Sequence, residues 1–132
     1  MNILSLDIGK RRTGVALSDA DNGVVVALDT LAHTSKEELI EKVQALIQSK
    51  RIAELVLGLP LLPSGEEGEQ VTFVRSIGQE LQKRGFLVKY LDERYSTPSL
   101  RQAEHREIDP DSASACQILD IYLDRKQNVD NI

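Results

Sequence analysis

Four acidic residues stand at chain positions where chemistry could gather. Asp7 ends a short apolar run over residues 2–8, in the string LSLDIGKRRTGVALSD. Asp92 and Glu93 follow a second apolar run over residues 86–91, and Asp111 lies in the first turn of the last helical pattern. Carboxylates brought together in a half-buried site repel one another unless something neutralises them. A divalent cation does so. All-oxygen ligands suit Mg²⁺ or Mn²⁺, and such ions, singly or in pairs, support hydrolysis of a phosphodiester. Each acid also has a plain structural reading. Asp7 with Gly9 could end a strand in a turn, Asp92 and Glu93 could pair with Arg94 or Lys89, and Asp111 could complement a helix dipole. The case for chemistry rests on their occurring together.

The neighbours fit the same picture. Lys10, Arg11 and Arg12 follow Asp7 and are candidates for holding phosphates, although a solvated turn explains them too. Arg94 adjoins the acidic pair and is the better candidate for a clamp on substrate or carboxylate. The loop over residues 60–68, rich in Pro, Gly and Glu, could offer backbone N–H groups to a phosphate; an acidic surface loop is the reading preferred here. His33 reads as a strand-end residue, His105 as exposed, and Cys116 as core. No Ser-His-Asp or Cys-His arrangement is apparent, and Asp7-x-Gly9 with Gly14 lacks the P-loop pattern.

Elements must bring these acids together. Residues 2–8, 13–19 and 23–32 read as strands, the last two joined by the turn-like Asp21-Asn22-Gly23, which predicts an antiparallel meander. Residues 35–50 read as a helix, with Ser35 and Glu38 in a capping-box pattern and Leu39, Ile40, Val43, Leu46 and Ile47 on one face. A strand over 52–58 follows, then a helix over 69–84 with Val71, Val74, Ile77 and Leu81 inward, ended by Gly85. After the strand at 86–91, Asp109 and Pro110 open a final helix over 109–125. The order β-β-β-α-β-α-β-α makes the later strands parallel crossovers. The result is a three-layer α/β domain with its ligand site outside the carboxyl ends of the parallel strands, where Asp7 and the Asp92-Glu93 pair fall.

Composition bounds the class. The 132 residues suit one domain, residues 1–132, and 41% hydrophobic with 28% charged residues is a soluble globular balance. Aromatic residues are 4% with no Trp, so the core must be aliphatic. One cysteine excludes an internal disulfide and suits a reducing cytoplasm. Neither a signal peptide nor a membrane span is apparent. The net charge of −5 argues against a broad nucleic-acid binder and for local, modest contacts.

The chain resembles the YqgF/RuvX family of Holliday-junction-resolvase-like nucleases. That family opens on a motif like LxLDxGxKRxGVAxSD, here LSLDIGKRRTGVALSD. Its VGLPxxxxGxEGxQ is similar to LGLPLLPSGEEGEQ here. Its DERxTT matches Asp92-Glu93-Arg94-Tyr95-Ser96-Thr97, and its VDSASAxxIL matches Asp111-Ser112-Ala113-Ser114-Ala115 through Ile118-Leu119. The four motifs occur in order from Ile3 to about Leu123. The resemblance implies an RNase H-like fold: a mixed five-stranded sheet, three antiparallel strands and then parallel ones, with helices on both faces. It implies a divalent-metal nuclease acting on the 5′ end of pre-16S rRNA in ribosome biogenesis. Asp7, Asp111 and one acid of the Asp-Glu-Arg motif would be catalytic metal ligands. Glu93 is preferred and Asp92 is kept, because strand alternation lets only one point at the site. Lys10, Arg11, Arg12, Arg94 and Thr97 would bind substrate. Two departures stand out. Ser96 replaces a Thr and keeps the hydroxyl. The segment PSLRQAEHREIDP, residues 98–110, is short and no more basic than acidic where relatives carry a longer basic loop, which weakens grip on a nucleic-acid backbone.

The expected partner is structured RNA, with branched DNA as the alternative. A structure-selective DNA endonuclease would need a dimer to cut two strands symmetrically, so the chain is a monomer or homodimer. An actin-like phosphotransferase also opens on Asp-x-Gly but needs two such domains. A non-catalytic RNA- or ribosome-binding module suits the acidic charge and the short loop, but retention of all the acids argues against it.

Overall fold

A computed structural model of the chain describes residues 2–19, 23–92 and 110–130, with side chains as far as 126. Its elements are β1 (Asn2–Ile8), β2 (Arg12–Asp19), β3 (Val25–Ala32), α1 (Lys36–Ser49), β4 (Ile52–Leu59), α2 (Glu69–Lys83), β5 (Val88–Asp92) and α3 (Pro110–Asp130). The expected order is observed. The five strands lie in the order β3-β2-β1-β4-β5. β1–β2 and β2–β3 pair antiparallel, β1–β4 and β4–β5 parallel.

Alternation along β1 divides the molecule into layers. Leu4, Leu6 and Ile8 join a core with Leu39, Val43 and Ile47 of α1 and Val71, Val74 and Ile77 of α2. Ile3 points the other way, into a second core with Ala16, Val56, Leu91 and the α3 residues Ala115, Cys116, Ile118 and Leu119. Helices therefore cover both faces: α1 and α2 one, α3 the other. Period-two alternation over a buried central strand produces this arrangement, and both cores are aliphatic, as composition required.

Local signals mostly act as the sequence predicts. Ser35 caps α1, its Oγ accepting from Glu38 N at 3.1 Å. The reciprocal half of the box is displaced by one residue, for Glu38 Oε1 accepts from Thr34 N at 2.6 Å. Gly85 follows α2 with φ of 94°, a left-handed conformation that only glycine adopts without strain. α3 runs five residues beyond the expected end at Arg125, because nothing from Lys126 to Asp130 breaks a helix. Its proposed N-cap Asp109 lies outside the described residues, as do Glu93, Arg94, Thr97 and His105. No described helix is long and apolar enough to cross a membrane.

His33 is more than a strand-end residue. It is buried, its Nε2 bonds Thr13 Oγ1 at 2.9 Å, and its backbone N–H donates to Arg11 O at 2.9 Å, closing the end of the β2–β3 hairpin. Burial lowers its pKa from the usual 6.5; nearby Glu38 opposes this and Lys42 reinforces it. A histidine held neutral in the fold gives stability that is full above its unfolded pKa. That stability is lost as pH falls from there through the lower folded value. Thermal melts of wild type and His33→Asn from pH 8 to pH 5 should therefore converge as pH falls, because the wild type loses more. Parallel curves would remove His33 from this role.

Candidate active site

The site is assembled by β1, β2 and the first turn of α3. On β1, Ile3 and Ser5 face α3, and Ser5 Oγ donates to Ala115 O at 2.7 Å. Asp7 has the same parity and so turns its half-buried carboxylate to that face. Across the ladder Asp7 pairs with Gly14 of β2, which places their Cα atoms about 5 Å apart. A Cβ added to Gly14 would lie 1.8 Å from the carbonyl oxygen of Asp111 and 2.8 Å from Ser112 N. The start of α3 thus rests directly on the backbone of the residue paired with Asp7.

The register of α3 on β1 keeps it there. Asp111 to Ala115 rises about 6 Å along the helix. Asp7 to Ser5 spans about 6.6 Å of strand. The two repeats match, so the bond at Ser5 and the contact at Gly14 hold together. Ser112 completes the fastening. Between Thr13 and Val15 of β2, the register with β3 shifts by one residue, a bulge that disturbs the ladder. The buried Ser112 hydroxyl fills the gap, accepting from Val15 N at 3.3 Å and donating to Leu28 O at 2.7 Å. Leaving such groups unsatisfied would cost about 1–3 kcal/mol.

Arg12 lies beside the pair, its Nε 3.0 Å from Asp111 Oδ2. Both side chains are well exposed, so the bridge adds little stability; it moderates the acidic charge at the site. Lys10 and Arg11 are exposed next to it. Gln70, in the first turn of α2, donates from Nε2 to Ile8 O at 2.8 Å and fixes the backbone just past Asp7. Sequence reasoning passed over Gln70, Ser5, Ser112 and Gly14. Three of them were legible as the Gln of EGEQ, the Ser of DSASA and the Gly of TGVALSD. Ser5 carried no signal beyond being polar in an apolar run.

Other candidates are placed differently. On β5, Val88 and Tyr90 pack toward α1 and α2 while Leu91 packs toward α3. Asp92 shares the parity of the first two, opposite to Asp7. In the loop over residues 60–68, Leu62 N donates to Glu66 O and Gly65 N to Leu62 O, so these amides serve the loop's own turn. Cys116 is buried; burial, with Asp120 adding to it, pushes its thiol up to about 11, which keeps it protonated and unreactive. Among the described residues no three His, Cys, Asp or Glu side chains form a metal-binding group, and the described part of the site contributes two carboxylates.

Residues 1–125 match the model of the RuvX family, described as Holliday junction resolvase. A protein of Sulfurihydrogenibium named "Putative pre-16S rRNA nuclease" is 33% identical over 132 residues, covering 93% of this chain and 90% of its own. One of the same name from Chloroflexus aurantiacus is 33% identical over 138 residues, covering 98% and 90%. Among solved structures, Thermus thermophilus RuvC superposes with a TM-score of 0.64 at 11% identity, over 97% of both chains, a likeness of fold. With residues 1–125 matched, the chain belongs to the RuvX, or Holliday junction resolvase, family.

Proposed function

We propose that the protein is a divalent-metal nuclease that processes the 5′ end of pre-16S rRNA in the cytoplasm. The observation that carries this reading is the seating of the Asp111 backbone on Gly14, directly across the ladder from Asp7. It supports the reading by seating the backbone of Asp111 on the residue paired with Asp7, more than 100 positions away in the chain, in a family described as resolvases and beside relatives named as nucleases. Asp7 and Asp111 fit a hard cation, since both offer carboxylate oxygens on rigid elements. Glu93 is the preferred third ligand, because Asp92 shares the face of Val88 and Tyr90. Mg²⁺ or Mn²⁺ held there would supply Lewis-acid charge for phosphodiester hydrolysis.

The chain's own residues do the rest. Ser5, Ser112 and Gly14 fix the distance between the two carboxylates, Gln70 anchors the end of β1, and Arg12 moderates charge at Asp111. The exposed Lys10 and Arg11, with Arg94 and Thr97, are assigned to the substrate backbone. The family's description favours a second reading, a Holliday junction resolvase, which would act as a homodimer on branched DNA. Side-by-side cleavage of a pre-16S rRNA leader and a four-way DNA junction, in Mg²⁺ and in Mn²⁺, separates the two. The leader should be cut at least about tenfold faster per enzyme, a difference of about 1.4 kcal/mol in barrier. Preference for the junction sinks the rRNA reading.

A further inference from the structure

A groove of about 470 Å³ opens between α3 and the edge strand β5, at the far end of α3 from Asp111. Three cations line it: Lys89, Arg125 and Lys126, all exposed. Leu91 contributes to its apolar floor, with Tyr122 and Glu54 beside it. Glu54 is buried and already engaged, accepting from the Tyr122 hydroxyl and pairing with Lys126 Nζ at 3.2 Å. Lys126 also lies 6.0 Å from the centre of the Tyr122 ring. Among the described residues Lys89 and Arg125 form no ion pair. Asp124 precedes Arg125 but does not line the groove.

We propose that this groove binds the sugar-phosphate backbone of the RNA substrate away from the cleavage site, with Lys89 and Arg125 contacting phosphates and Lys126, braced by Glu54 and Tyr122, beside them. The inference rests on the nuclease reading for its ligand. Basic side chains around an aromatic ring suit nucleic acid better than a neutral or basic partner. The position also suits it. Asp111 to Arg125 spans about 21 Å of helix, longer than an RNA arm of about four base pairs and shorter than one of about 12. The groove offers three cations, where the segment over residues 98–110 carries two arginines against three acids.

The test is fluorescence-anisotropy binding of RNA hairpins to wild type and Lys89→Gln/Arg125→Gln across a salt series, with the single Arg125→Gln variant in parallel and circular dichroism confirming the fold. With an arm of about 12 base pairs, the double variant should bind at least roughly tenfold more weakly near physiological salt, and the slope of log K against log salt should shrink by about 1.8, the single by about 0.9. With an arm of about four base pairs the variants should lose much less. An unchanged slope on the long arm overturns the proposal and leaves the groove to a protein partner. A loss equal on both arms overturns it as well. Wild type that shows the full salt slope yet cuts no RNA in Mg²⁺ or Mn²⁺ supports the groove and overturns the nuclease reading alone.

Discussion

Asp7→Asn should lower the cleavage rate on the order of 10³-fold, equivalent to about 4 kcal/mol of barrier, while leaving the fold intact. Asparagine keeps the shape of the side chain and removes its charge. Because Asp7 is half-buried at a strand end, packing around it is undisturbed. In metal-free buffer the circular-dichroism spectrum should match that of wild type. The contrast should come when metal is added. Wild type should be stabilised by Mg²⁺ or Mn²⁺, by about 2.7 kcal/mol at a hundredfold excess over Kd, and the variant should gain little of this. Cleavage equal to wild type would mean that the acids at this corner do not carry the reaction. Equal metal stabilisation with lost cleavage would take Asp7 out of the ligand set.

Gly14→Ala should damage both stability and activity, which separates it from Asp7→Asn. The added methyl would lie 1.8 Å from Asp111 O and 2.2 Å from Asp111 C. Both are backbone atoms, with no rotamer to move them aside. Either α3 lifts from the sheet or β2 bends, and overpacking of this kind costs about 3 kcal/mol, roughly 10 °C in Tm for a domain of this size. Lifting α3 strains the Ser112 bonds to Val15 and Leu28 and the Ser5 bond to Ala115. It also moves Asp111 away from Asp7, and a displacement near 1 Å costs on the order of 10²-fold in rate. Differential scanning calorimetry with cleavage kinetics on the same preparations checks both. A variant with wild-type Tm and activity would refute the close seating of α3.

Most of the architecture was legible because each element carries its own signal. The 3.6-residue spacing of Leu39, Ile40, Val43 and Ile47 produced α1, and all four are buried. The Asp21-Asn22-Gly23 string predicted a hairpin, and β2 and β3 pair antiparallel. The two sheet faces were less legible. Leu4 and Leu6 belong to one core and Ile3 to the other, yet in sequence they form one apolar run, since a central strand covered on both sides loses its polar alternation. The end of α3 was misjudged for a different reason: its apolar stripe fades before the helix does, and no stop residue follows.

The sequence by itself determined the family, the order of the elements and the identity of Asp7 and Asp111 as acids worth following, because motifs and periodicity are properties of the chain. Tertiary structure decided what surrounds them. Arg12 could be read as a phosphate ligand or a turn residue; packing made it the partner of Asp111. Gly14 was a small residue in a strand until α3 settled on it, and Ser112 was one serine of DSASA until the β2–β3 register shift left Val15 N–H and Leu28 C=O for it to bond. The basic groove joins Lys89 to Arg125 across 36 positions of chain. Contacts of this range depend on how a helix seats on a sheet to within an ångström, and no local pattern of residues encodes that distance.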